Sequence, residues 1–197
     1  MKNTDTLNRS PMLFLRTALS NMTQVGAVLP SSSFLVNKML SCADFKKARY
    51  VVEYGTGTGV LSKAILTRCK PESSLIGLEL NTRFHNFLSR HISDRRFHLY
   101  NENALNLGKC LCRHDISEVD YIFSCIPFTL FTASDRRNIL EETRRCLNHD
   151  GKFVMFQYSR SMEKLLREIF DDVKVHFVMR NIPPAFVFVC SKKNANC

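Results

Sequence analysis

The sequence predicts an α/β fold: a seven-stranded, mostly parallel sheet with helices on both faces, an antiparallel last strand and an N-terminal helical cover. Three observations predict it. Short apolar runs alternate with amphipathic segments from Arg49 onward, and parallel strands need such helical crossovers. A glycine cluster follows directly on the first apolar run. The last two runs have no helix between them, so they should pair antiparallel. The 197 residues suit one domain with little room for a second. A composition of 45% hydrophobic and 23% charged residues is that of a globular chain and excludes extensive disorder.

The elements follow in order. Ser10-Pro11 reads as a helix start, with Ser at the N-cap and Pro in the first turn. Apolar residues at 12, 15, 19 and 22 continue at helical spacing until Gly26. Pro30-Ser31-Ser32-Ser33 opens a second helix through Met39-Leu40. Strands are expected at 50–54, 74–79, 97–100, 119–124, 152–158, 173–179 and 185–190. Helices are expected at 60–69, 82–91, from a Ser134 cap to Leu147, and at 162–170. The Asp150-Gly151 pair reads as a turn and Pro183-Pro184 as a break before the last strand. Residues 1–48 thus form an N-terminal helical segment and 49–197 the sheet domain.

Charge is the second signal. With 28 Lys+Arg against 18 Asp+Glu, the net charge is +10 and favours an anionic partner, either nucleic acid or a membrane surface. No apolar run reaches the ~20 residues of a membrane span, and the N-terminus lacks a signal-peptide pattern. A cytoplasmic protein is expected. The eight cysteines include no C-x-x-C pair, so reduced thiols and no metal site are expected.

The strongest local signal is Val51-Val52-Glu53-Tyr54-Gly55-Thr56-Gly57-Thr58-Gly59, between a strand and a helix. Glycines there let the backbone turn tightly and approach a ligand. The spacing is G-x-G-x-G; Val60 breaks the dinucleotide fingerprint, and no G-K-[ST] follows. Glu79 ends the next strand, 20 residues after the third glycine, where a carboxylate can accept ribose hydroxyls. Glu102-Asn103-Ala104 follows the third strand, where Asn103 can accept a hydrogen bond from an adenine amino group. The pattern reads as a nucleoside-cofactor site.

The set Glu53, Gly55, Gly57, Gly59, Glu79 and Asn103 resembles the S-adenosylmethionine site of class I methyltransferases, which have a Rossmann-like fold. That resemblance extends the cofactor set to Thr56, Thr58, Leu80 and Ala104, and implies S-adenosylhomocysteine as product. In the family, the acidic residue opening the loop helps hold the methionine amino group. Asn103 stands where many members carry Asp, and Tyr54 where many carry Leu or Ile.

A narrower resemblance covers residues 11–190. Phe14-Leu15-Arg16, Val25-Gly26-Ala27-Val28-Leu29-Pro30-Ser31-Ser32, Ile126-Pro127-Phe128, Phe156-Gln157-Tyr158-Ser159 and Arg180-Asn181-Ile182-Pro183-Pro184-Ala185 are similar to the small soluble bacterial phospholipid N-methyltransferases. These act on phosphatidylethanolamine or on ornithine lipids. Cys125 departs from their usual Gly. It also replaces the Asn that opens the N-[PL]-P-[YF] motif of adenine and amide methylating enzymes.

The resemblance implies N-methylation of phosphatidylethanolamine toward phosphatidylcholine, at the inner face of the cytoplasmic membrane. The Ser124–Phe128 turn is expected to place the amine, with Ser124 also in the cofactor set, its carbonyls and Ile126 aiming the nitrogen, and the Phe128 ring face stabilising the growing cation. Tyr158 is expected to orient the head group. Gly26, Ser31 and Ser32 are expected to close over the cofactor's methionine end. The N-terminal helix, with Lys2, Arg9 and Arg16, is expected to serve as lid and membrane foothold, helped by Arg95-Arg96, Arg136-Arg137 and Arg144-Arg145 if they share a face. A monomer is expected. An RNA adenine N6-methyltransferase relative is the alternative. It is disfavoured because the sequence runs only seven residues past the last expected strand, too few for an RNA-binding domain.

Overall fold

The computed structural model describes residues 32–192. The helix expected from Ser10-Pro11 to Met22, Gly26 and the Pro30-Ser31 start signal lie outside these residues. The described elements are α1 (Ser33–Leu40), β1 (Tyr50–Tyr54), α2 (Val60–Arg68), β2 (Ser74–Leu78), α3 (Thr82–His91), β3 (Phe97–Tyr100), α4 (Leu107–Cys112), β4 (Val119–Ser124), α5 (Ala133–Cys146), β5 (Leu147–Gln157), α6 (Glu163–Ile169), β6 (Asp172–Val178) and β7 (Ala185–Ser191). Short 3-10 turns occupy Ala104–Asn106 and Phe128–Leu130.

The seven strands form one sheet in the order β3-β2-β1-β4-β5-β7-β6. The first five pair in parallel, and β7 runs antiparallel to both of its neighbours. Strand β6 therefore runs in the same direction as β5. This is the Rossmann-like α/β arrangement the alternation predicts. Because β1 has β2 on one side and β4 on the other, the chain reverses its direction of winding at β1. A crevice opens beyond the carboxyl ends of β1 and β4 at such a reversal. The glycine loop starts there.

Period-two alternation sorts side chains onto two core layers. Val52 and Tyr54 join a layer with Leu107, Ile139, Leu140 and Leu166 from α4, α5 and α6. Val51 joins the opposite layer with Leu35 and Met39 of α1 and Leu61 and Ile65 of α2. Glu53 takes the same side as Val51, which carries its carboxyl to α2, where Ser62 waits.

The structure revises three local expectations. Helix α5 is capped by Thr132, not Ser134: the Asp135 N–H donates to Thr132 Oγ1 at 3.1 Å, and Thr132 Oγ1 donates to Asp135 Oδ2 at 2.8 Å. The cap therefore lies two residues earlier than read, with the Asp135 carboxylate also holding the capping hydroxyl. Strand β5 begins at Leu147, directly after α5; the register shifts between the Val119–Leu147 and Tyr121–Lys152 pairs, so Asn148–Gly151 form an irregularity within the strand. Helix α4 was not expected: it has six residues and no side-chain N-cap, too short for a periodic signal.

Candidate active site

A cleft of about 470 Å³ lies at the carboxyl end of the sheet. The loop after β1 and the residues following β2 and β3 form one half; the turn after β4 and the end of β5 form the other. Val36 and Met39 of α1 lie over it.

The first half is built around two buried carboxyl groups. Glu53 is 0% exposed and accepts a hydrogen bond from Ser62 Oγ at 2.6 Å through Oε2. Its Oε1 is buried and has no partner among the described residues. Burial pushes its pKa up to about 8; the Ser62 hydroxyl opposes the rise and the Glu79 charge adds to it. Glu79 Oε2 accepts the Gly57 N–H at 2.8 Å, and Oε1 accepts the Asn81 N–H at 2.8 Å. Burial raises its pKa too, against the lowering effect of those two backbone donors. Expected as a ribose carboxylate, Glu79 is seen here to fix the glycine loop.

Gly57 has φ +52°, and a Cβ built there meets nothing within 4 Å, so its backbone faces open space and leaves room for a ligand to approach. Gly55, Thr56, Thr58, Leu80 and Ala104 also line the cleft. Gly59 is a correction: it does not line the cleft but precedes α2 with φ +81°, and a Cβ there would lie 2.5 Å from the Leu88 side chain of α3. It is a packing glycine. Asn103 lines the cleft, and its Oδ1 also accepts the Leu105 N–H at 3.0 Å, capping the 3-10 turn. Ser32 is another correction. Its Oγ caps α1 by accepting the Leu35 N–H at 3.3 Å and its N–H donates to Asn181 Oδ1 at 3.3 Å, and it is not among the cleft's lining residues. Ser31 and Gly26 lie outside the described residues.

The second half departs most from expectation. Ile126 and Tyr158 line it as expected, with Tyr158 53% exposed at the rim. Ser124 is buried and does not line the cleft; its Oγ has no partner among the described residues. Phe128 is 0% exposed and packs among Phe131 and Phe153 in the core, so its ring face is not presented to a ligand. The 3-10 turn swings the side chain inward and brings Phe131 to the wall instead. Phe128→Ala is therefore expected to cost about 3–5 kcal/mol of stability, read by urea unfolding, as a buried aromatic truncation does. Three of the turn's carbonyls are engaged as well. Ile126 O accepts from Gln157 Nε2 at 3.0 Å, Pro127 O from the Leu130 N–H at 3.0 Å, and Phe128 O from the Phe131 N–H at 3.1 Å. Cys125 lines the wall, and burial pushes its thiol well above the ordinary range, so it stays neutral.

The sequence assigned no site role to Gln157, Phe131, Phe156 or Ser62, although Phe156 and Gln157 stand in a segment that carries the resemblance. The first three are brought to the cleft by the ends of β4 and β5, and Ser62 reaches Glu53 only through the packing of α2 on β1. No linear spacing announces these contacts.

Three carboxyl groups, from Glu53, Glu79 and Glu102, line the cleft, with no Lys, Arg or His among the described lining residues. Such a lining favours a cationic or electroneutral ligand over an anion. Most of the arginines of the expected pairs are engaged within the protein, and Arg137, Arg144 and Arg145 line one surface groove with Lys192, Glu141 and Glu168. Arg96 bridges Asp94 at 2.7 Å, Arg137 bridges Glu168 at 2.6 Å, Arg144 bridges Asp171 at 3.0 Å and Arg145 bridges Glu142 at 2.7 Å. Arg136 donates to the Phe131 and Thr129 carbonyls.

The orphaned Glu53 Oε1, the open Gly57 backbone and the anchored Glu79 fit a nucleoside bearing a positive charge. Fold and cleft together define a nucleoside-cofactor enzyme built on a methyltransferase-type sheet. A sequence profile described as a methyltransferase domain matches residues 51–151, just over half of the chain, and the chain belongs to that family. It is an S-adenosylmethionine-dependent methyltransferase.

An ornithine lipid N-methyltransferase of Singulisphaera acidiphila is 28% identical over 180 residues, covering 90% of this chain and 94% of that protein. Among solved structures, the N-methyltransferase NodS of Bradyrhizobium japonicum, in complex with S-adenosylhomocysteine, superposes with a TM-score of 0.69 at 10% identity, covering 91% of this chain and 99% of that one. Precorrin-6y C5,15-methyltransferase of Geobacter metallireducens gives 0.64 at 16% identity, covering 81% and 88%. At these identities the structural likeness is one of fold.

Proposed function

We propose that this chain N-methylates the primary amine of a lipid head group at an anionic membrane surface, with phosphatidylethanolamine or an ornithine lipid as acceptor. The observation that carries the reading is the cleft itself: carboxyl groups at the cofactor end, apolar walls and neutral polar groups at the other, and no cation among its described lining residues. Such a site accommodates an amine beside a positively charged methyl donor and leaves an anionic phosphate outside. The likeness to the ornithine lipid enzyme, over nearly its full length, supports the lipid class.

S-adenosylmethionine supplies the methyl group from its sulfonium and leaves as S-adenosylhomocysteine. The chain's own residues bind and align. Glu53 holds the methionine ammonium, Glu79 the ribose and Asn103 the adenine edge. Tyr158 orients the head group at the rim. Residues 1–48 act as cover and foothold, with Gly26 and Ser31 over the methionine end. The described part of that segment packs α1 against β5, β6 and β7.

The surface at this end of the sheet supports membrane contact. Because β6 runs parallel to β5, the β6–β7 connection emerges at the cleft's end of the sheet. It exposes Met179 (73%) and Ile182 (80%), with Arg180 over the Phe34 ring at 5.4 Å. Buried Asn181 holds it through the Ser32 N–H and by donating to Pro183 O at 2.7 Å. Apolar tips beside a cation suit a lipid–water interface. Among the described residues, no helix is long and apolar enough to cross a membrane.

The test supplies methyl-labelled S-adenosylmethionine with vesicles of phosphatidylethanolamine, vesicles of ornithine lipid, or total RNA. Label in the organic phase is the expected result, and the vesicle that receives it identifies the head group. Label confined to RNA overturns the reading.

A further inference from the structure

Three carbonyls of the turn expected to hold the acceptor amine, those of Ile126, Pro127 and Phe128, already accept a hydrogen bond within the protein, which raises the question of what else holds it. The Ile126 carbonyl is an acceptor, so the end of the Gln157 amide facing it at 3.0 Å is the nitrogen. The Gln157 carbonyl oxygen is then the end left for a ligand. Gln157 is 6% exposed and lines the cleft beside Cys125 and Tyr158, and its Oε1 is not among the buried atoms without a partner. Beside it the Cys125 thiol is neutral, and no His or Lys is among the described lining residues.

We infer that Gln157 Oε1 accepts an N–H of the uncharged acceptor amine and so turns the nitrogen lone pair toward the transferring methyl. The inference rests on the N-methylation reading above and names the residue that positions its acceptor. In the step, the nitrogen lone pair forms the new N–C bond while the C–S bond breaks and its electron pair stays with sulfur. The methylated ammonium then releases a proton to water at the open rim. The amine must be deprotonated when it attacks, because an ammonium nitrogen has no lone pair.

A consequence follows for successive methylation. A primary amine has two N–H groups and a monomethylated amine has one. A dimethylated amine has none, so Gln157 cannot position it. The contribution of Gln157 is confined to the first two transfers.

The experiment measures kcat and KM for Gln157→Leu and wild type on phosphatidylethanolamine and its N-monomethyl and N,N-dimethyl forms in mixed micelles, with S-adenosylhomocysteine affinity measured alongside. Where ornithine lipid is the acceptor, its matching series is used. Loss of one positioning hydrogen bond is expected to lower kcat about tenfold on the first two acceptors. The dimethyl acceptor should lose less than about threefold on the same grounds. Should Leu disturb the fold, seen as lost S-adenosylhomocysteine binding, Gln157→Met carries the same comparison. An equal loss on all three acceptors means that Gln157 only props the turn through Ile126, and it overturns the inference. No loss on any of them overturns it too. A wild-type protein that methylates no lipid amine overturns the functional reading instead, and this inference with it.

Discussion

Glu53→Gln is expected to weaken S-adenosylmethionine binding about tenfold to a hundredfold while making the unliganded protein more stable above neutral pH. The binding loss is that of one charge-assisted hydrogen bond, about 1.5–3 kcal/mol. The stability gain follows from linkage. Glu53 carries a pKa of about 8 in the fold against an ordinary 4.5, chiefly from burial. Between those values the folded chain keeps a proton that the unfolded chain has released, so wild-type stability falls as pH rises from about 4.5 to about 8. Glutamine removes that slope while still offering Ser62 an acceptor. Melting curves of both proteins should nearly coincide at pH 5, and the variant should melt later by several degrees at pH 9. Parallel curves across the whole range would rule out the buried-acid account. The same shift makes cofactor binding release a proton: Glu53 is mostly protonated at pH 7 when free and must ionise beside an ammonium. Calorimetry in buffers of different ionisation heat should read close to one proton released per cofactor, and no release would show that Glu53 does not meet the ammonium.

The second large effect is expected at Glu79. Removing its carboxyl leaves the Gly57 and Asn81 N–H groups without their acceptor, and an unsatisfied buried donor costs about 1–3 kcal/mol. Glu79→Ala should therefore lose both the ribose contact and the loop geometry. It is expected to reduce cofactor affinity by about two orders of magnitude or more, taking the two losses together. Glu79→Gln keeps one acceptor oxygen and places an NH2 where the second stood, opposite an N–H. It should fall between wild type and Ala. Titration with S-adenosylhomocysteine ranks the three, and a Gln variant as weak as Ala would show that the charge, not the loop anchorage, dominates.

The cofactor half of the site was legible because its chemistry is local. A glycine loop between a strand and a helix, with an acidic residue closing the next strand, needs only chain order and the parallel-sheet rule to be placed. Glu53, Gly55, Gly57 and Glu79 fall there, and Asn103 follows one strand on. The acceptor half was not legible in the same way. Phe128 looked like a site residue because it follows a proline at a strand end, but whether a ring after a turn points into the cleft or the core depends on the turn's torsions. The 3-10 geometry of Phe128–Leu130 chose the core. Gln157 stands in a segment that carries the family resemblance but was given no role there, because its importance comes from facing Ile126, 31 positions earlier in the chain.

The net charge of +10 pointed to an anionic partner without choosing between a membrane and a nucleic acid. The structure shows four of the six paired arginines, Arg96, Arg137, Arg144 and Arg145, in intramolecular ion pairs. By itself, the sequence determined the seven-strand α/β architecture, the antiparallel end of the sheet and the cofactor loop. All three are written in hydrophobic period and in glycine and carboxylate spacing along neighbouring segments. Only the tertiary structure decided which carboxyl keeps a proton, which glycine packs instead of binding, and which polar groups are left facing the acceptor. Burial and hydrogen-bond pairing between distant strands set those properties, and neither is a property of sequence order.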